Sequence, residues 1–442
     1  MIDNISIIRR KLDDAITQLC EVSWMFTKCP DRDFTRIRKL PFRKVVSFLL
    51  AMEGGTLETE MLRYFGCSAD IASSSAFVQQ RSKIYPDAFH SLFDLFVKKT
   101  DSNKLYKGLR LIAADGSDIQ IPTNPSDPDS YFPASNERSA YNLLHLDAMY
   151  DLLQQTYTDA SLIGDHKANE RKILCSMVDR SSMESALLIA DRGYENYNLM
   201  AHIQEKGWFY LIRIQDIEHS SGIAAGLDLP ESDEFDLFVD LSLTTKQTNE
   251  VKLLRQNRNR YRVIPYRNFD YLPQKNRKHD PAVFYKLPFR IVRFRITNDS
   301  FETVVTNLDA REFPPQELKN LYNMRWGIET SFRELKYAVG LLHFHANKVE
   351  YIHQEVFARL IMYNFSALIT SSVIIQKAGT KHAYKANFTV AVHVCRQFLL
   401  GNVSPPEVEA IIRRHVSPIR PGRSSPRKMS VKHSVSFIYR VA

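Results

Sequence analysis

Cysteine is scarce in this chain. There are five, at Cys20, Cys29, Cys67, Cys175 and Cys395, and no two stand in a C-x-x-C spacing. Neither a disulfide framework nor a zinc ribbon is expected, and a reducing compartment fits. Long hydrophobic runs are missing as well. The most apolar stretch, Leu360 to Ile375, is broken by Asn364, Ser366, Thr370, Ser371 and Ser372. It is too short and too polar to span a bilayer, so a buried helix is expected and a membrane partner is not. Met1-Ile2-Asp3-Asn4 has no basic segment leading into an apolar one, so no secretory leader is expected. No internal repeat is evident.

What is present is a long, ordinary globular composition with one uneven feature. At 442 residues the chain exceeds one compact core, and two or three domains are expected. Apolar residues make up 44% and charged residues 25%, which places it among globular rather than disordered chains. The formal net charge is +9, but it is regional: eight of the 59 Lys and Arg lie between Ala410 and the C-terminus with no Asp or Glu, leaving 51 against 50 acidic residues elsewhere. That tail, with Arg420-Pro421-Gly422-Arg423-Ser424-Ser425-Pro426-Arg427-Lys428, fits a solvated extension or a contact with nucleic acid.

The densest chemistry lies between Tyr322 and Lys336. Placed on a helix, Tyr322, Arg325, Trp326, Glu329, Arg333 and Lys336 share an arc roughly 100° wide. Leu321, Met324, Ile328, Phe332, Leu335 and Val339 form the opposite, core-facing stripe. One carboxylate among three cations and two aromatics suits a metal ion held beside a phosphate backbone. The same residues also fit a solvated face with i,i+4 pairs, each worth about 0.2–0.5 kcal/mol. Upstream, two apolar runs end in aspartate: Leu111-Ile112-Ala113-Ala114-Asp115-Gly116 and Ala186-Leu187-Leu188-Ile189-Ala190-Asp191-Arg192-Gly193-Tyr194. Taken alone, Asp115 fits a hairpin turn and Asp191 a helix N-cap.

The spacing Y-x2-R-x3-E-x6-K, met by Tyr322, Arg325, Glu329 and Lys336, resembles the signature of the DDE transposases of bacterial insertion sequences, in the branch called insertion-sequence family four. The order Asp115, Asp191, Glu329 resembles the acidic triad of that family, and the similarity covers roughly residues 30 to 365. The resemblance implies an enzyme that binds terminal inverted repeats, cleaves DNA strands by two-metal-ion phosphodiester hydrolysis and joins 3′-OH ends to target DNA. It implies Asp115, Asp191 and Glu329 as catalytic metal ligands for two Mg²⁺ ions, with Mn²⁺ able to substitute. By the same resemblance Tyr322, Arg325 and Lys336 grip phosphates near the cleaved end. Trp326 stacks on a displaced base or packs as a core aromatic, and Arg333 and Arg192 reach phosphate. Asp118 is the fallback for the first ligand. Double-stranded DNA, a homodimer on it, and a cytoplasmic, nucleoid-associated location in a bacterium are implied too. The alternative is a DNA-binding inhibitor or domesticated remnant that no longer cuts.

The expected fold class is α/β, an RNase H-like catalytic core with a mainly β insertion, a helical N-terminal domain and a helical C-terminal region. Residues 1–105 read as helices, including a helix-turn-helix shape from Glu58 to Ile84 whose second helix carries Ser73, Gln79, Gln80, Arg81 and Lys83. Residues 106–214 read as three strands, helix, strand, helix, strand, with the Tyr141–Tyr150 and Leu152–Leu162 strands joined by a tight turn at Tyr150-Asp151. Residues 215–305 read as the insertion. Asp228 to Asp240 holds six acidic residues, and Lys252 to Lys278 holds nine basic ones among Tyr261, Tyr266, Phe269 and Tyr271. This and the alternating Arg290 to Ile296 strand fit a basic, aromatic nucleic-acid surface, or charge pairing between acidic and basic halves. Residues 306–365 return to the core with a helix from Gln316 to about Val339. Residues 366–442 complete the chain with helices and the basic tail. His343, His345 and His353 fit a phosphate or structural role better than a metal.

Overall fold

The computed structural model describes residues 2–36, 38–101, 104–136, 139–217, 221–273, 281–297, 300–375 and 383–419. Five helices come first: α1 (Ile2–Glu21), α2 (Phe42–Ala51), α3 (Leu57–Tyr64), α4 (Ser74–Arg81) and α5 (Asp87–Lys99). The core then begins with β1 (Arg110–Ile121), β2 (Tyr131–Phe132), β3 (Tyr141–Asp151), β4 (Thr156–Gly164), α6 (Glu170–Arg180), β5 (Ala186–Ala190), α7 (Tyr197–Glu205) and β6 (Phe209–Arg213). The next stretch supplies β7 (Phe235–Thr244), α8 (Asn249–Leu254), β8 (Tyr261–Val263), β9 (Tyr285–Thr297) and β10 (Ser300–Thr306). Last come α9 (Pro315–Met324), α10 (Trp326–Tyr337), α11 (Val349–Ser372), β11 (Tyr384–Ala386), α12 (Phe388–Leu399), α13 (Pro405–Arg414) and β12 (Val416–Pro418). Among the described residues no helix is long and apolar enough to cross a membrane.

One ten-stranded sheet organises the molecule, in the order β2-β3-β1-β5-β6-β10-β9-β7-β8, with β4 also on β3. β1, β3 and β4 form an antiparallel meander, while β5 lies parallel to β1 and β6 parallel to β5. This is the strand order expected of an RNase H-like core. β5 is apolar at all five positions and buried throughout, as a central strand covered on both faces must be. One face carries Leu111, Ala113, Leu187 and Ile189 and meets α10, α11 and the N-terminal helices. The other carries Ile112, Ala114, Leu188 and Ala190 and meets α6 and α7.

Several features differ from or add to the sequence reading. The stretch expected as a mainly β insertion continues the core sheet, because β10 pairs with β6 and carries β9, β7 and β8 onto it. Within it Arg290 and Arg293, expected on a half-exposed strand, are buried. β9 lies between β7 and β10, so both guanidinium groups face protein, Arg290 on Asp236 and Arg293 on Asp216. Arg295 meets Asp233 and Arg258 meets Asp228, so the acidic segment pairs with basic neighbours. Phe269 is core rather than surface, and residues 274–280 and 420–442, which include three cations of the basic segment and most of the tail, lie outside the described residues.

The second helix of the expected helix-turn-helix is also shorter, starting at Ser74 because the Ser73 hydroxyl caps it on the Ala76 N–H. Its Arg81 is buried and pairs with Glu355 at 2.8 Å and Gln354 at 2.7 Å on α11, so it cannot reach a groove. The β3–β4 connection covers residues 152–155, beginning two residues later than the expected Tyr150-Asp151 turn, with Gln155 in the left-handed region (φ 62°). Finally, the helix expected over Gln316–Val339 is interrupted at Arg325, whose N–H bonds the Tyr322 carbonyl in a tighter i→i−3 turn.

Candidate active site

The sheet brings Asp115 and Asp191 together by register. Ala114 pairs with Ala190 across β1 and β5, so the next residues of two parallel strands about 4.8 Å apart are these two aspartates. Asp115 is not in a turn, since β1 continues to Ile121. It stands where the parallel ladder ends, which opens room for its carboxylate. Asp191 begins the turn after β5 and accepts the Arg192 N–H at 2.6 Å. It therefore caps that turn while facing the site. By strand alternation both point toward the face covered by α10.

α10 lies close across this point because Gly327 lacks a side chain: a Cβ there would sit 2.9 Å from Leu152 Cδ2. Ile328, Phe332 and Leu335 are buried on its inner side, as the apolar stripe requires. The other side delivers Glu329. Arg325 joins the carboxylates, with Nη2 donating to Glu329 Oε1 at 2.7 Å and Nη1 lying 3.7 Å from Asp115 Oδ2. Tyr322 donates its hydroxyl toward Asp191 Oδ1 at 3.4 Å. Lys336 crosses to β1, where Nζ donates to Ser117 Oγ at 2.7 Å and the Asp118 carbonyl at 3.0 Å.

The electrostatics are uneven. Burial pushes the Asp115 carboxyl up to about 6, and the charges of Glu329 and Asp191 add to this against the Gly116 N–H and Arg325. At Asp191 burial also acts upward but is outweighed, and the Arg192 N–H, Arg213 and Arg325 hold the carboxyl below its usual value. Burial raises Tyr322, so its phenol stays protonated. Three hard carboxylate oxygens around one buried guanidinium suit a divalent cation. A carboxylate raised first by burial and further by like-charged neighbours is one whose ionised form such a cation would favour.

The other residues singled out from sequence are placed less centrally. Trp326 is 58% exposed and stands under the Arg325 guanidinium at 5.3 Å, so it is a surface aromatic rather than a core one. Arg333 and Arg192 are exposed. Arg325 itself is buried and held by carboxylates rather than presented outward. Asp118 points the other way, its carboxylate 2.8 Å from His145 Nδ1, so it does not share the pocket of Asp191 and Glu329. His345 bonds the Gly55 carbonyl at 2.9 Å and faces Glu355, a structural role.

Sequence reasoning missed Arg213. It lies 3.0 Å from Asp191 and 3.3 Å from Glu302 on β10. Ile212 pairs next to Ala190, so the register alone puts Arg213 beside Asp191. The signal existed, a basic residue ending the strand after the aspartate strand.

Asp115 and Asp191 thus stand at the ends of two parallel strands, with Glu329 on the helix beside them and Arg325 joining the group. The model of the transposase DDE domain matches residues 106–365, and the chain belongs to that family. It is 21% identical over 335 residues to transposase InsG of insertion sequence element IS4 from Escherichia coli (strain K12), across 74% of this chain and 65% of that protein's length. A solved structure, the piggyBac transposase in a synaptic complex with hairpin DNA, aligns with 93% of this chain and 79% of its own at 11% identity and a TM-score of 0.44.

Proposed function

We propose that this chain is the transposase of an insertion sequence, binding the terminal inverted repeats of its element, cleaving there and joining the freed 3′-OH ends to target DNA. The observation that carries the reading is the convergence of Asp115, Asp191 and Glu329 on one face of the sheet, around Arg325. Two divalent cations held by these carboxylates would activate the attacking hydroxyl and stabilise the leaving oxygen, with Mg²⁺ the hard-oxygen choice and Mn²⁺ a substitute. The chain's own groups position the DNA. Lys336 and Arg325 place positive charge beside the scissile phosphate, and Tyr322 keeps its proton to donate to a phosphate oxygen. Arg213 keeps Asp191 ionised. Exposed Trp326 offers a face to an unstacked base, and exposed Arg192 and Arg333 flank the entrance.

Two ends must be handled in one complex, so the working form is a homodimer on DNA. Mixing a Glu329→Ala chain with one defective in end binding should restore some cleavage if each subunit cuts the end held by the other. Absence of rescue removes cutting in trans. The function itself is tested by incubating purified protein with Mg²⁺ and a DNA fragment bearing the inverted repeats that flank its gene. Cleavage at the repeat boundary is expected. Specific binding without any cleavage, in Mg²⁺ and Mn²⁺ alike, would favour a non-cutting inhibitor, and cutting without preference for the repeats would favour a general nuclease.

A further inference from the structure

Behind Asp115, on the opposite face of the sheet, lies a second polar cluster that the cleavage reading does not use. Its centre is the buried His145, and the register sets Asp118 directly across from it and Gly116 across from Asp147. Glycine is required at 116, because a Cβ there would fall 2.5 Å from His145 Nε2. Nδ1 of His145 lies 2.8 Å from Asp118 and 3.9 Å from Asp165, while Nε2 lies 3.3 Å from Glu170 and 3.5 Å from Asp147. Four carboxylates thus surround one imidazole, which can neutralise at most one of them. The neighbouring Arg171 donates to the Gly193 carbonyl.

Two buried atoms of this cluster have no hydrogen-bond partner among the described residues: His145 Nε2 and Asp147 Oδ2. The residues that carry them are 6% and 2% exposed. Buried polar atoms are seldom left unpaired, and the buried carboxylate of Asp147, with three more carboxylates around the same imidazole, calls for added positive charge.

We propose that Asp118, His145 and Asp165 form a second divalent-cation site, separate from the carboxylate triad and independent of the function assigned above. Their ligating atoms all lie within 4.8 Å of one another, a span that metal–ligand bonds of about 2.0–2.2 Å close with small side-chain shifts. Nδ1 and one oxygen from each aspartate hold the ion. Nε2–H then faces Glu170 and Asp147, the carboxylate partners that fix the ring of a metal-bound histidine. One imidazole with carboxylates favours a first-row ion such as Mn²⁺ or Zn²⁺ over Mg²⁺. Half-exposed Asp118 and Glu170 leave an entry path from solvent. An ion there would tie β1, β3 and the turn before α6 together directly behind the strand that carries Asp115.

The test uses the full chain with Asp115→Asn, Asp191→Asn and Glu329→Gln, so that the triad no longer competes. Calorimetric titration with Zn²⁺, and with Mn²⁺ followed by electron paramagnetic resonance, is expected to show one ion per chain. Adding Asp118→Asn and Asp165→Asn should weaken binding at least tenfold with the circular dichroism spectrum unchanged. If that combination fails to fold, Asp165→Asn alone, on a short solvent-facing turn, should still weaken binding. No stoichiometric ion, or binding unaffected by these substitutions in a folded chain, overturns the proposal and leaves His145 as a protonated hub for its carboxylates.

Discussion

At Asp115 a short side chain carries most of the tension in the site. Its carboxyl is raised to about 6 against an unfolded value near 3.9. The folded state therefore binds more protons than the unfolded one between these values. Its stabilising contribution is present at low pH and is lost as pH rises from about 4 through 6. In chelator at pH 7.5, Asp115→Asn should then raise stability, by roughly 1–3 kcal/mol after discounting for partial exposure. Thermal unfolding checks this, and an unchanged or lowered midpoint would mean Arg325 already balances the charge. Arg325→Ala should act oppositely, destabilising the metal-free chain and weakening both end binding and cutting. The signature spacing singled out Tyr322, Arg325, Glu329 and Lys336, and two apolar runs ending in aspartate singled out Asp115 and Asp191; the structure places these six near one another. The burial of Arg325, the contact of Arg213 with Asp191 and the orientation of Asp118 away from the triad were not legible, because each depends on which strand faces which neighbour.

The elements that carry the site are held by a few polar contacts inside apolar surfaces. β4 is fastened to α11 by Asn364, whose Oδ1 accepts the Tyr157 N–H and whose Nδ2 donates to the Tyr157 carbonyl, both at 2.8 Å. Ser331 on α10 donates to the Tyr157 hydroxyl at 2.8 Å, so one tyrosine joins strand, site helix and core helix. Asn364→Ala leaves a buried N–H and carbonyl unpaired, each at about 1–3 kcal/mol. A loss of roughly 2–4 kcal/mol in urea unfolding is expected, and a loss under about 0.5 kcal/mol would mean water replaces the amide. β5, α6 and α7 could be read to within a residue or two, because their apolar periods and their Asn caps are local signals. The break at Arg325 could not, since helix propensity continues through it.

Across the whole molecule, the N-terminal helices and the sheet share one apolar core that runs from Ile5 to Ile412. Arg81 on α4 ties the N-terminal helices to α11, pairing with Glu355 and donating to the Tyr351 carbonyl. Removing one partner of such a buried pair costs about 3–5 kcal/mol. Glu355→Gln should therefore lower global stability in a single cooperative transition, and separate melting of the N-terminal helices would contradict the shared core. The α/β class was legible from the apolar runs, and the neighbouring placement of β1 and β5 from the resemblance to an RNase H-like core. That the β-rich stretch widens the same sheet was not, because pairing of β10 with β6 joins strands far apart in sequence. In the proposed function the acidic triad does chemistry rather than holding DNA. Its most direct test is Glu329→Gln on end-labelled element DNA with Mg²⁺, scored for gel shift and nicking together. Binding within about threefold of wild type with nicking abolished is predicted, since the change removes one hard ligand and no cation. Nicking that persists at the wild-type rate would remove Glu329 from the site.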